Sequence, residues 1–331
     1  MHVAVAYDGA DVLIDVPDDA TVISPVDPRP LPDPDRTVRE MVRPWLRGLQ
    51  PPGVLVLPDV STFPQQTVLP GLLSELARVG LRREGLVLIN GPGLSLDEEF
   101  TDRYPVHVHD AAQRDEHERV GDVDGVPVLF DRAYVEATTR ITIGLVEPHH
   151  RCGFTGGPET VCPNISAEAT VSGVHARGGE PTATALVLRG NPVHDFIRAA
   201  VKLAPPRLSI DVTIDGAGTL TGVWCGPLPH GHQAACAFVE QYAVRRVASR
   251  ADVVIVSGEP LTDAVRSADR AVRPGGTTVV VTDAADSLQA TNASVVVARP
   301  RDLSTVVQSL LPAQVCVLTQ ALRTVVTVGA P

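Results

Sequence analysis

Apolar positions along this chain gather into short β-branched runs, set apart by amphipathic stretches and punctuated by proline and glycine. His2 to Val16 alternates and breaks at Asp8-Gly9, which predicts a hairpin. Pro25 to Pro34 holds five prolines among aspartates and predicts an extended loop. Thr37 to Leu49 then has helical spacing, Val54 to Leu57 is a buried-strand run, Thr67 to Val79 is again helical, and Leu86 to Ile89 is a strand. Strand, helix, strand at this spacing predicts a βαβ unit in a parallel sheet.

Further along, Val106 to His109 is a short strand with His107 and His109 on one face, either a metal pair or the polar outer face of an edge strand. Val123-Asp124-Gly125 predicts a turn before a strand at Val126 to Phe130. Strands are expected at Ile141 to Val146 and Thr182 to Leu188, a helix at Pro192 to Leu203, and a hairpin joining Leu208–Ile214 to Leu220–Trp224. His232 to Val247 reads as a long helix, followed by strands at Val253 to Ser257, Thr278 to Val281, Ser294 to Val297 and Val315 to Leu318. The expected fold class is α/β, with two domains of mostly parallel sheets flanked by helices and a site in the cleft between them. Residues 1–233 would form the first domain, 234–249 a connecting helix, and 250–331 a smaller second α/β domain.

Composition narrows the function classes. With 331 residues, 44% hydrophobic and 20% charged, the chain can bury a sizeable core. No apolar run reaches membrane-spanning length, and the opening MHVAVAYDGADVLIDV is acidic where a secretion signal is basic, so a cytoplasmic protein with no membrane partner is expected. A net charge of −11 without any basic run argues against nucleic acid. The basic residues are arginines except for Lys202, so any covalent lysine chemistry must use Lys202. The five cysteines have no C-x-x-C spacing and read as reduced thiols.

The candidate chemistry lies between Ile141 and His175. An apolar strand ends at Glu147-Pro148 and delivers His149 and His150 into the glycine-rich run Gly153-Phe154-Thr155-Gly156-Gly157-Pro158. Such a loop lets backbone approach a ligand, and Pro158 favours a helix start whose free N–H groups face an anion. The same composition also fits a plain turn with two solvated histidines.

Glu147-Pro148-His149, the three-residue spacer, Gly153-Phe154-Thr155-Gly156-Gly157-Pro158 and the later His175 resemble the signature of the nickel-dependent lactate racemase family, which carries a nickel-pincer nucleotide. Weaker likeness continues through Gly190-Asn191-Pro192-Val193, the hairpin ending at Gly226, and Ser257-Gly258-x-Pro260-Leu261 ahead of Pro274-Gly275-Gly276. The resemblance implies a second domain shorter than the family's. It also implies an acid/base histidine at His149, a metal histidine at His175, and substrate contacts near Thr155, Gly156, Gly157, Arg266, Ser267 and Arg270. Arg266 and Arg270, four apart, would clasp a carboxylate or phosphate from one helix face, or form a solvated helix face.

Three positions depart from the family pattern. Glu159 stands where the covalent lysine is expected, Gly93 where a second acid/base histidine is expected, and Phe63 where a phosphate-binding arginine is expected. The pincer nucleotide is therefore doubtful as cofactor. The leading expectation is a racemase-family enzyme with altered chemistry: His149 and Glu159 move protons on a small anionic hydroxy acid held by Arg270 and Arg266, in an epimerisation, isomerisation or elimination. Two alternatives are a pincer-dependent 2-hydroxy acid racemase that holds its cofactor non-covalently, and a non-catalytic small-anion-binding paralogue. A hydrolytic metal site of His149, His150 and His175 is a weaker rival, because no carboxylate accompanies it at a zinc spacing. Oligomerisation is left open.

Overall fold

The computed structural model describes the chain except for residues 8–9, 25, 258–260, 283–292, 299–301, 311–312, 320–324 and 329–331. The Asp8-Gly9 turn, Pro25 and the Gly258–Pro260 part of the second-domain motif thus lie outside the described residues. Two compact units are present, one of Asp27–Val239 and one of Met1–Val26 with Glu240–Pro331. The first 26 residues were expected to belong to the larger domain; they fold instead with the C-terminal part. β1 (His2–Tyr7) pairs antiparallel with β2 (Ala10–Asp15), as the alternation predicted, and β3 (Thr21–Ile23) follows.

The Asp27–Val239 unit begins with α1 (Pro34–Val42), capped by Asp33, whose carboxylate accepts from Arg36 N at 3.1 Å, with proline in the first turn. The elements that follow are β4 (Gly53–Val56), α2 (Gln65–Arg78), β5 (Leu86–Asn90), α3 (Glu98–Thr101) and β6 (Val106–Val108). Next come β7 (His117–Val123), β8 (Val126–Asp131), α4 (Arg132–Glu136), β9 (Thr139–Leu145) and the small hairpin β10 (Pro148–His149) and β11 (Gly153–Phe154). The last elements are α5 (Glu168–Arg177), α6 (Pro192–Val201), β12 (Leu208–Ile214), β13 (Leu220–Gly226) and α7 (His230–Ala243), the last running past Val239.

Six strands form the central sheet in the order β13-β12-β9-β4-β5-β6, parallel except for β13. Both faces are apolar, as a parallel sheet covered on two sides requires. Leu55, Leu88, Ile141 and Ile210 pack with Val38, Val42, Leu69 and Leu72 of α1 and α2. On the opposite face, Val54, Val56 and Ile89 pack with Phe130, Phe196 and Ile197.

In the remaining part of the other unit are β14 (Val244–Val247), β15 (Ala251–Val256), α8 (Leu261–Ala268), β16 (Val272–Val281), β17 (Ser294–Ala298), α9 (Leu303–Ser309), β18 (Val315–Leu318) and β19 (Val325–Val328). Its main sheet is parallel, in the order β17-β16-β15-β18-β3. β3 lies beside β18, and Val3, Val5, Ile14 and Val16 pack in one core with Val253, Ile255 and Val317, which is why the N-terminus belongs here.

Three local expectations are corrected. Thr182 to Leu188 is not a strand: Leu186 has φ 67°, its N–H donates to Gly153 O at 3.0 Å, and Leu186 and Leu188 pack beside Phe154 and Ala235 from a loop. The helix expected over 232–247 stops at Ala243, and Val244–Val247 pairs with β19. His107 and His109 are not an outer polar face, because both reach inward to one oxygen of Asp131, at 2.7 and 3.1 Å. Among the described residues no helix is long and apolar enough to cross a membrane.

Candidate functional site

The loops that leave the C-terminal ends of β4, β5 and β9 carry the candidate groups, the usual location for ligand sites in open parallel sheets. The loop after β4 supplies Asp59, and its Oδ1 accepts from Gly93 N in the loop after β5 at 2.6 Å. Backbone there comes so close that a Cβ on Gly91 would fall 2.3 Å from Asp59 Cγ, and one on Gly93 2.8 Å from Asp59 O. A histidine does not fit at Gly93 unless these loops part. Phe63, 3% exposed, is part of the main core with Leu57 and Leu94.

After β9 the chain folds back on itself. Thr155 Oγ1 donates to Leu145 O at 2.7 Å and accepts from Glu147 N at 2.9 Å, so this hydroxyl ties the loop to its strand. Gly153 takes φ 90°, and a Cβ there would fall 2.3 Å from Val187 O. His149 Nδ1 accepts from Cys152 N at 3.0 Å and from Arg151 N at 3.2 Å. With Nδ1 engaged as an acceptor, the neutral ring carries its hydrogen on Nε2. That tautomer presents an N–H hydrogen-bond donor at Nε2.

Gly156 and Gly157, with φ 78° and 50°, make the turn that follows. Pro158 opens only a short 3-10 turn, Gly157–Thr160, where a longer helix start was expected. The two amides expected to face an anion are occupied from within. Gly156 N donates to Glu159 Oε2 at 3.3 Å, and Gly157 N to Asp211 Oδ1 at 2.7 Å. An incoming anion would have to displace a carboxylate at either amide.

Although Glu159 as a residue keeps some exposure, its carboxyl lies in the interior. Burial pushes that carboxyl up to about 7; the Gly156 amide and the charge of His232 draw it down, and Asp59 drives it up. A carboxyl that titrates near neutrality can give or take a proton at physiological pH. The nearby thiols are poor nucleophiles: burial pushes Cys162 to about 12 and Cys152 well above its ordinary range.

The other expected site residues lie on other elements. His175 is exposed on α5, and among the described residues no group of three or more histidines, cysteines or carboxylates is arranged to hold a metal. Lys202 is exposed at the C-cap of α6. Arg266, Ser267 and Arg270 belong to the other unit and are half-buried; burial lowers the Arg270 guanidinium. Because α8 ends at Ala268, Arg266 and Arg270 do not share a helix face.

These positions do not fit a covalently held pincer nucleotide. The site offers an interior carboxyl bonded to Gly156 in place of an amine, a core phenyl ring in place of a guanidinium, and no room for a side chain at Gly93. Asp211, His232 and His194 did not stand out in the sequence. Asp211 could have, since it is an acid in the middle of LSIDVTI, a strand buried at every residue.

Residues 50–185 match the lactate racemase N-terminal domain. Lactate racemase of Thermoanaerobacterium thermosaccharolyticum is 26% identical over 245 residues, which cover 67% of this chain and 57% of that protein. Lactate racemase of Lactiplantibacillus plantarum is 25% identical over 203 residues, covering 57% and 47%. The chain thus aligns with about half the length of these relatives. The lactate racemase apoprotein structure from T. thermosaccharolyticum superposes with a TM-score of 0.82 at 17% identity, over 98% of this chain and 100% of that one. A Thermotoga maritima crystal structure superposes with a TM-score of 0.58 at 17% identity, over 77% and 72%. The motif order, the matched domain and the shared fold agree: residues 50–185 carry a lactate racemase N-terminal domain, and the chain as a whole is lactate racemase-like in its fold.

Proposed function

We propose that the protein is a racemase-like isomerase, or a lyase of related mechanism, that moves a proton on a small anionic hydroxy acid without a covalently attached pincer nucleotide. The observation that carries this reading is Glu159: an interior carboxyl held at about 7 inside the glycine turn of a racemase-like loop. In the proposed reaction the Glu159 carboxylate takes the proton beside the substrate carboxylate, and His149, first protonated to the imidazolium, gives one and returns to the neutral ring. When Glu159 releases its proton and His149 recovers one, the pair is reset.

The test is to follow the enantiomers of lactate and other small 2-hydroxy acids by chiral chromatography with the purified full chain. Conversion or elimination is expected, and it should slow by about two to four orders of magnitude in both His149→Gln and Glu159→Gln. Turnover that neither change alters overturns the reading. Turnover only in nickel-loaded protein favours the pincer alternative, and binding without turnover favours the anion-binding paralogue.

A further inference from the structure

A second polar layer lies beneath the Gly156-Gly157 turn. Asp211, 0% exposed in the middle of β12, accepts from Gly157 N through Oδ1, and the same oxygen is 3.6 Å from Nδ1 of His232, which is 1% exposed. A buried carboxylate served by one amide at short range still needs a neutralising neighbour. The imidazole stands where that neighbour is required. It lies directly against the turn: a Cβ on Gly157 would fall 2.3 Å from His232 Cγ. One residue earlier, Gly156 N is bonded to Glu159. Successive amides thus hold two carboxyls, with one histidine ring packed against the turn that joins them.

We propose that His232, fixed by Asp211, is a positioning residue that governs when Glu159 holds its proton. This rests on the reading of Glu159 as the proton carrier of the site. With His232 as an imidazolium, the Glu159 carboxylate is favoured and can accept; with His232 neutral, the protonated acid is favoured and can donate. Other groups face the pair. Asp59 acts on Glu159 from the loop after β4, and the Cys152 and Cys162 thiols are in its field from the same segment as Glu159. His194 of α6 stacks on His232 at 6.3 Å between ring centroids, and Cys236 Sγ lies 3.4 Å from its Nε2. Burial pushes His194 down to about 4, so it adds no positive charge at neutral pH.

The experiment is a side-chain NMR titration of the full chain labelled at glutamate carboxyls and histidine rings, with Glu159→Gln and His232→Gln assigning the signals. In His232→Gln the Glu159 midpoint is expected to rise by about one unit, roughly a tenfold gain in proton affinity. In the unaltered protein, where no variant has to fold, the His232 ring signal is expected to inflect at the Glu159 midpoint. A midpoint that moves by less than about 0.2 units, or a His232 signal with no such inflection, overturns the proposal. The titration requires no turnover, so coupled signals in an inactive protein would defeat the functional reading alone.

Discussion

The backbone N–H of Gly157 donates to Asp211 Oδ1 at 2.7 Å and joins the site turn to the middle of the central sheet. Gly157 itself has φ 50° and no space for a side chain beside His232. Gly157→Ala is therefore expected to cost about 2–4 kcal/mol in urea unfolding, from backbone strain and a displaced ring. Gly179→Ala, where a Cβ would meet nothing within 4 Å, is the control and should stay within about 0.5 kcal/mol.

Glu159 makes the turn sensitive to pH. Its carboxyl titrates at about 7 in the folded chain against an ordinary 4.5, so the folded state keeps this proton over a range where the unfolded state has lost it. The contribution to stability is present at acid pH, falls as pH climbs through that interval, and levels off above it. Glu159→Gln removes the fall and is expected to exceed the unaltered protein by roughly 1–3 kcal/mol at about pH 8. Paired denaturation curves across the range check the difference.

Asp131 has the opposite sign. Burial works to raise its carboxyl, and His109 and His107 outweigh that effect and hold it below the usual range. The same side chain accepts from Ala133 N at 3.0 Å, so it joins β6, the end of β8 and the start of α4. Asp131→Asn is expected to lose roughly 2–4 kcal/mol near neutral pH by thermal or urea unfolding. The stability this group contributes is present above its unfolded value and is lost as pH falls through the folded one, so the variant should show a flatter acid limb.

Intact mass spectrometry checks the cofactor expectation. Protein purified from cells that make the pincer nucleotide is expected to have the mass of its sequence, because Glu159 occupies the attachment position and its carboxyl is bonded inside the fold. An added mass that survives denaturation would contradict this.

Much of the fold was legible because parallel strands buried on both faces announce themselves as β-branched runs; β4, β5, β9, β12, β15 and β18 all lie where that signal fell. The N-terminal strands were misassigned for a physical reason: β3 lies beside β18, nearly the whole chain away, and no local pattern carries that pairing. Thr182 to Leu188 failed because its apolar residues serve a loop cover that has the same composition as a strand. In the loop after β9, the motif singled out His149 and the glycine turn. It did not show that the turn's amides are satisfied by Glu159 and Asp211, since the second partner is 54 residues away. Nor did it show the tautomer of His149, which is set by the two amides that point at Nδ1.

The most direct measurement of the central claim is turnover of a small 2-hydroxy acid in deuterated water, with the product examined by NMR at the carbon that bears the hydroxyl. Proton transfer through Glu159 and His149 places solvent deuterium on that carbon, and Glu159→Gln should slow the exchange by about two to four orders of magnitude. Product that retains the original hydrogen would mean that it moved as a hydride and was returned, which would contradict the account.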